Sequence, residues 1–318
     1  MPTCPILSTT RVPHVNAAHD TIFMRLYLPD SPSEPPYPVV ILLPDLMCSA
    51  ASYDWLATAL AQRGFAAVTY DWIIHDDSGY GRLTPGVEST ALDPSDYHTL
   101  PSAPAIPAIL TELERLNGLD RLDGQIDLHR LIFGGHGVGG WLALHNATRR
   151  FFLGLTAAFA FAPNPGDLLE RAGHESGALP VMPSDVPTLI LAATEDRIET
   201  PLPPDERITP TESGTVRAPG AALARRLWDR VGGGHGHAYY MSVRGANHYT
   251  VAYPLDTAAG AAAADAPESA PGADLRALIA DIVATFAAGY GRRAGGDIER
   301  LRRYIGQRPP LVGETRLK

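Results

Sequence analysis

The sequence predicts an α/β protein built on a mainly parallel, doubly wound sheet flanked by helices. Three observations point there. Short runs of consecutive apolar and β-branched residues recur along the chain, as strands buried on both faces require. Stretches with apolar residues at helical spacing lie between them. A glycine-rich turn, Gly135-His136-Gly137-Val138-Gly139-Gly140, joins one such strand to one such helix.

In chain order, TIFMRLYLP at 21–29 alternates in part and reads as an early antiparallel strand. VVILLP at 39–44 is the first buried strand. SYDWLATALAQRG at 52–64 has helical spacing with Gly64 as a stop, and FAAVTYD at 65–71 completes a βαβ order. Residues 72–102 lack periodicity, and a loop of that length is a candidate lid. A helix is predicted over 103–117, a third buried strand over 128–135 and a helix over 138–150. Strands at 156–163 and 186–194, a helix at 218–231, a last strand at 237–245 and a closing helix at 275–291 complete the alternation. AAGAAAADAPESAPGAD at 258–274 reads as an exposed low-complexity loop. Residues 1–20 form an N-terminal extension, 21–291 one domain, and 292–318 a basic tail with one more short helix at best.

Composition narrows the partners. Of the 318 residues, 45% are hydrophobic and 19% charged, which supports a large core. The net charge of −9 comes without a basic run, so neither nucleic acid nor an anionic membrane is an expected partner. The start lacks the features of a secretory signal, and no apolar run is long enough to span a bilayer. Two cysteines, Cys4 and Cys48, make no disulfide framework, so a cytoplasmic location is expected. Oligomeric state leaves no mark in the sequence.

The turn at 135–140 carries the chemistry. In a G-x-S-x-G nucleophile elbow, flanking glycines let strand and helix approach, and the central residue is held where its side chain is exposed. Every feature is present here except the serine, whose position is Gly137. Over roughly residues 20–290 the chain resembles the α/β hydrolases, in particular their platelet-activating-factor acetylhydrolase, chlorophyllase and dienelactone-hydrolase-like branches. The resemblance implies an α/β-hydrolase fold with Asp196, in Ala193-Thr194-Glu195-Asp196, as triad acid. It implies His248, in Gly245-Ala246-Asn247-His248-Tyr249, as triad base. Glu195 is the competing acid.

Glycine has no side chain for His248 to activate, so acyl-enzyme chemistry at 137 is impossible. It also tolerates elbow backbone geometry at no steric cost. After VVILLP, where relatives carry His-Gly, this chain has Pro44-Asp45-Leu46. The N–H groups of Leu46 and Val138 are the expected oxyanion donors, with Asp45 placed to oppose a developing negative charge.

Other candidates have plainer readings. His136 is expected to be a packed elbow residue and Cys48 a small half-buried thiol without a base. His75, Asp76 and Asp77 read as a solvated loop, and His235 and His237 as part of a glycine-rich turn. No metal or other cofactor is expected. Three functions fit. In the first, His248 oriented by Asp196 is a general base for non-covalent chemistry on a small carbonyl or ester-like ligand: lyase, isomerase, cyclase or direct water attack. The second is a non-catalytic ligand-binding protein, and the third a serine carboxylesterase whose nucleophile has been replaced. The first accounts best for retention of both His248 and Asp196. It requires one ring nitrogen of His248 on Asp196 and the other facing a cavity beside Gly137.

Overall fold

The computed structural model of the chain describes residues 5–30, 34–75, 79, 81–119, 122–183, 185–198, 200–201, 217–218, 220–232, 237–255, 265 and 267–318. Asp76, Asp77, His235 and Cys4, together with 258–264 and 266, lie outside the described residues.

The apolar runs become strands for the reason given by their composition. β1 (Ile6–Arg11), β2 (Thr21–Tyr27), β3 (Tyr37–Leu43), β4 (Ala66–His75) and β5 (Gly81–Leu83) precede β6 (Ile126–His136), β7 (Leu155–Phe161) and β8 (Thr188–Ala193). A two-residue pair, β9 (Thr200–Pro201) and β10 (Arg217–Ala218), stands apart, and β11 (Ala238–Val243) and β12 (Val312–Leu317) finish the main sheet. The helices are α1 (Asp54–Ala61), α2 (Ala105–Asn117), α3 (Gly137–His145), α4 (Leu168–Arg171), α5 (Gly220–Arg230), α6 (Gly272–Gly291) and α7 (Gly295–Gln307).

The ten-stranded sheet runs β1-β2-β4-β3-β6-β7-β8-β11-β12, with β5 paired to the outer end of β4. Neighbours from β4 through β11 are parallel, whereas β1, β2, β5 and β12 join antiparallel. All seven residues of β3 are buried, because helices cover both faces. Val39 and Ile41 point into a core shared with α2, α3 and α5; Val40 and Leu42 point into a second core with α1 and α6. Alternate side chains leave opposite faces of a strand, so one apolar run feeds two layers. Among the described residues no helix is long and apolar enough to cross a membrane.

Three expectations need correction. The strand at 237–245 is not the last, and the stretch after Arg292 is more than a short helix. It forms α7, with Leu301 buried, and then β12 along β11. The physical reason is the open edge of β11, whose unpaired backbone groups β12 satisfies. The start, set aside as an extension, supplies β1 as the opposite edge. Residues 72–102 do not detach at Asp71. β4 continues to His75 because β2 and β5 offer partners, and Val87, Leu92 and Tyr97 further on pack against the core.

Candidate functional site

Four parallel strands end together, and each delivers one part of the site from its carboxyl end, where ligands of open α/β sheets bind. β3 leads to Asp45, β6 to Gly137, β8 to Asp196 and β11 to His248. The turn from β6 into α3 is as tight as the glycines imply. Gly137 has φ +53°, in the left-handed region that favours glycine, and α3 starts there. A Cβ on Gly139 would lie 2.2 Å from the Pro44 carbonyl oxygen, so α3 crosses the end of β3 at backbone contact.

His248 and Asp196 meet as their order in the chain requires. Nδ1 of His248 donates to Oδ2 of Asp196 at 3.1 Å, and Oδ1 of Asp196 accepts from the Ile198 N–H at 2.9 Å. Glu195 is not the partner: its carboxylate accepts from Ser269 Oγ instead. The second nitrogen of His248 does not face a cavity. Nε2 donates to Oδ2 of Asp45 at 3.0 Å, while Oδ1 of Asp45 accepts from the Val138 N–H at 2.8 Å. The oxyanion donor on Val138 is thus engaged by Asp45 itself, and Leu46, the other expected donor, carries an exposed side chain.

Asp45 occupies the volume that a nucleophile side chain would need. A Cβ built on Gly137 would lie 2.2–2.4 Å from the Asp45 carboxyl carbon and both its oxygens. At such distances a side chain at 137 requires the Asp45 carboxylate to shift, so glycine at 137 and the seat of Asp45 are sterically linked. A small cavity of about 20 Å³ adjoins the elbow, bounded by Gly135, His136 and Tyr53 and by apolar residues such as Leu42, Phe159 and Val283, and holds no more than a water or so.

Asp45, His248 and Asp196 are 7, 2 and 3% exposed. Burial opposes a charge on His248, yet the hydrogen bonds to Asp196 and Asp45 and their charges outweigh it and push its pKa up to about 10. At neutral pH the ring is therefore an imidazolium between two carboxylates. Burial raises the Asp45 pKa, but the bond from His248, the nearby imidazoles and the Val138 N–H together hold it below the usual carboxylate value.

Two residues that position this unit escape a reading of the sequence. Tyr53 Oη accepts from the Asp45 N–H at 3.0 Å and donates to His136 Nδ1 at 2.9 Å; His136 Nε2 then donates to the His248 carbonyl at 2.9 Å. One phenol and one imidazole so tie the Asp45, elbow and His248 segments together. Burial, with the His248 charge adding to it, depresses the His136 pKa to about 4, so it is neutral and structural. Asp265 is the second: its carboxylate accepts from the His248 N–H at 2.6 Å and from the Arg197 N–H at 2.9 Å, bridging the loops that carry base and acid. An Asp in an alanine-rich insert and a Tyr ten residues after β3 carry no local pattern that marks this role.

Of the remaining candidates, Cys48 is fully buried rather than half-buried. His237 Nδ1 bonds Tyr290 Oη, and His75 lies 3.2 Å from His19, both far in sequence from the elbow. Asp45, His136 and His248 bring metal-capable atoms within 4.8 Å of one another, but each is already engaged by the hydrogen bonds above. Comparison with protein-family models gives no match, and comparison with curated proteins gives none either.

Proposed function

We propose that this chain is an α/β-hydrolase-fold enzyme that works on a small carbonyl or ester-like molecule without a serine, through Asp45, His248 and Asp196. The observation that carries the reading is the seat of Asp45, whose carboxylate fills the place of the missing side chain between the Val138 N–H and His248. An imidazolium held by two carboxylates is a proton donor. Once His248 has passed its proton through Asp45 to a substrate oxygen, the neutral ring backed by Asp196 is a base able to take one from water or carbon. Acid and base are then one residue in two states, as non-covalent lyase, isomerase, cyclase or water-addition chemistry needs. The starting expectation of a free general base is replaced by this shared-proton unit.

The test is turnover of a panel of small lactones, esters, epoxides and β-hydroxy carbonyl compounds. Activity should fall about 10²–10⁴-fold in Asp45→Asn and in His248→Gln, and be retained in Cys48→Ala. The unmodified chain should take no label from a fluorophosphonate. Turnover that survives both substitutions sinks the proposal; ligand binding without turnover in the unmodified chain points instead to a binding protein. A serine esterase interrupted at one residue is the weaker reading, because a serine Cβ at 137 would displace the Asp45 carboxylate from its seat on Val138 and His248.

A second reading rests on Asp45 Oδ1 accepting from the Val138 N–H. Attack of Oδ2 on an epoxide carbon would break the ring C–O bond, with the His248 proton passing to the departing oxygen, and would leave an alkyl ester whose carbonyl oxygen Oδ1 stays on that donor; neutral His248 could then activate water to hydrolyse it. A single turnover in heavy-oxygen water separates the two. Direct water attack labels the product at once, whereas attack by Asp45 labels the carboxylate first.

A further inference from the structure

The loop after β5 lays a second cluster of titratable side chains on the far end of α3. His145, the last residue of α3, is fully buried. Its ring centre lies 4.5 Å from that of His98 and 4.8 Å from that of Tyr97, and the Tyr97 and His98 rings lie 4.2 Å apart, tilted by 30°. His145 Nε2, His98 Nε2 and Tyr97 Oη are all buried atoms with no hydrogen-bond partner among the described residues. Buried polar atoms are satisfied as a rule, so three orphans in touching rings require a common explanation. His136, by contrast, has both nitrogens engaged.

We propose that His98, His145 and Tyr97 form a site for a divalent transition-metal ion, separate from Asp45, His248 and Asp196 and independent of the function proposed above. With metal–nitrogen distances of about 2.0–2.1 Å, two imidazoles whose centres are 4.5 Å apart are near enough to share one ion. The mixed nitrogen and oxygen donors suit zinc, copper or cobalt. His145 is oriented for the task, because its Nδ1 is 2.7 Å from Ser102 Oγ, which accepts in turn from Asn146 Nδ2 at 3.0 Å. A second-shell bond of this kind leaves Nε2 as the ligand atom. His98 is held at φ +62°, where a side chain is rarely placed, and its carbonyl is bonded by Arg150. Strain of that kind persists only where something offsets it. The position at the carboxyl end of α3 also favours a cation. His174 borders Tyr97, but its Nε2 is committed to the Leu92 carbonyl. An ion here would clamp the loop onto the helix whose other end bears Val138.

The experiment is equilibrium dialysis of the untagged, chelator-treated full chain against zinc chloride and cobalt chloride, with the cobalt spectrum recorded. One ion per chain is expected, with cobalt bands reporting nitrogen and oxygen ligation. His98→Gly removes a ligand while suiting the left-handed φ, so the chain should stay folded by circular dichroism and lose the ion. Ser102→Ala should weaken binding about 10–100-fold. Asp45→Asn and His75→Ala should leave binding unchanged. The proposal is overturned by absence of binding up to millimolar metal, or by binding that survives His98→Gly. Loss of the ion in Asp45→Asn or His75→Ala instead would place it at the Asp45, His136 and His248 cluster or at His19 and His75, and would overturn it equally.

Discussion

At position 137 the consequence of a single missing side chain depends on a residue ninety positions away in the chain. Glycine alone would merely leave a gap; here the Asp45 carboxylate, bonded to His248, takes the space a side chain at 137 would need. Gly137→Ser should therefore do more than strain the backbone. It drives a Cβ into Asp45, at a cost on the order of 1–3 kcal/mol for overpacking, in addition to the penalty for a side chain at positive φ. The single variant should melt lower and show no ester hydrolysis. Gly137→Ser with Asp45→Gly restores the space, frees the Val138 N–H, and should both accept a fluorophosphonate label and hydrolyse an activated aryl ester in a His248-dependent way. Strong esterase activity from Gly137→Ser alone would show that Asp45 moves aside readily and that its seat is incidental.

Among elements, the loops that carry Asp196 and His248 are tied to one another as well as to their strands. The acid loop and the base loop exchange bonds directly, Glu195 N–H to the Ala246 carbonyl at 2.8 Å and Gly245 N–H to Thr194 Oγ1 at 2.9 Å, and Asp265 adds a bridge to each. Asp265→Ala should cost roughly 1–3 kcal/mol, since it leaves the His248 and Arg197 amides without their acceptor. Hydrogen exchange at those two amides should accelerate while the amides of β6 and β7 remain protected. Equal loss of protection throughout the sheet would mean that Asp265 supports the fold rather than the site.

For the molecule as a whole, the buried imidazolium couples stability to pH. The folded pKa of His248 is raised from 6.5 to about 10, so between those values the native state holds a proton that the unfolded chain releases. Its contribution is fully present below pH 6.5 and is lost as pH climbs through about 10. Among the described residues the groups facing His248 include Asp45, Asp196, neutral His136 and the Tyr249 phenol, with Asp265 on its backbone. Chemical denaturation of the unmodified chain and of Asp45→Asn across this range isolates the pair. The stability advantage of the unmodified chain should shrink as pH rises from neutrality; an advantage that is constant or grows would refute a charged His248.

Much of this molecule is legible in one dimension. Runs such as VVILLP and TLILAA are apolar throughout because both faces of a parallel strand are covered, and that pattern survives reading without a partner in view. Gly137, Asp196 and His248 are marked by their place at strand ends, and the Asp196–His248 bond follows from it. Pairing across the sheet edge was not legible: VGETRL becomes β12 only because β11 presents unpaired backbone groups beside it. Nor was the direction of Asp45. Its presence after β3 is plain in the sequence, but whether it opposes an oxyanion or replaces a nucleophile turns on a few ångströms among Val138, Gly137 and His248. The chain sets which groups stand at the ends of the strands; how their charges and volumes share one buried space is decided only when the strands lie side by side.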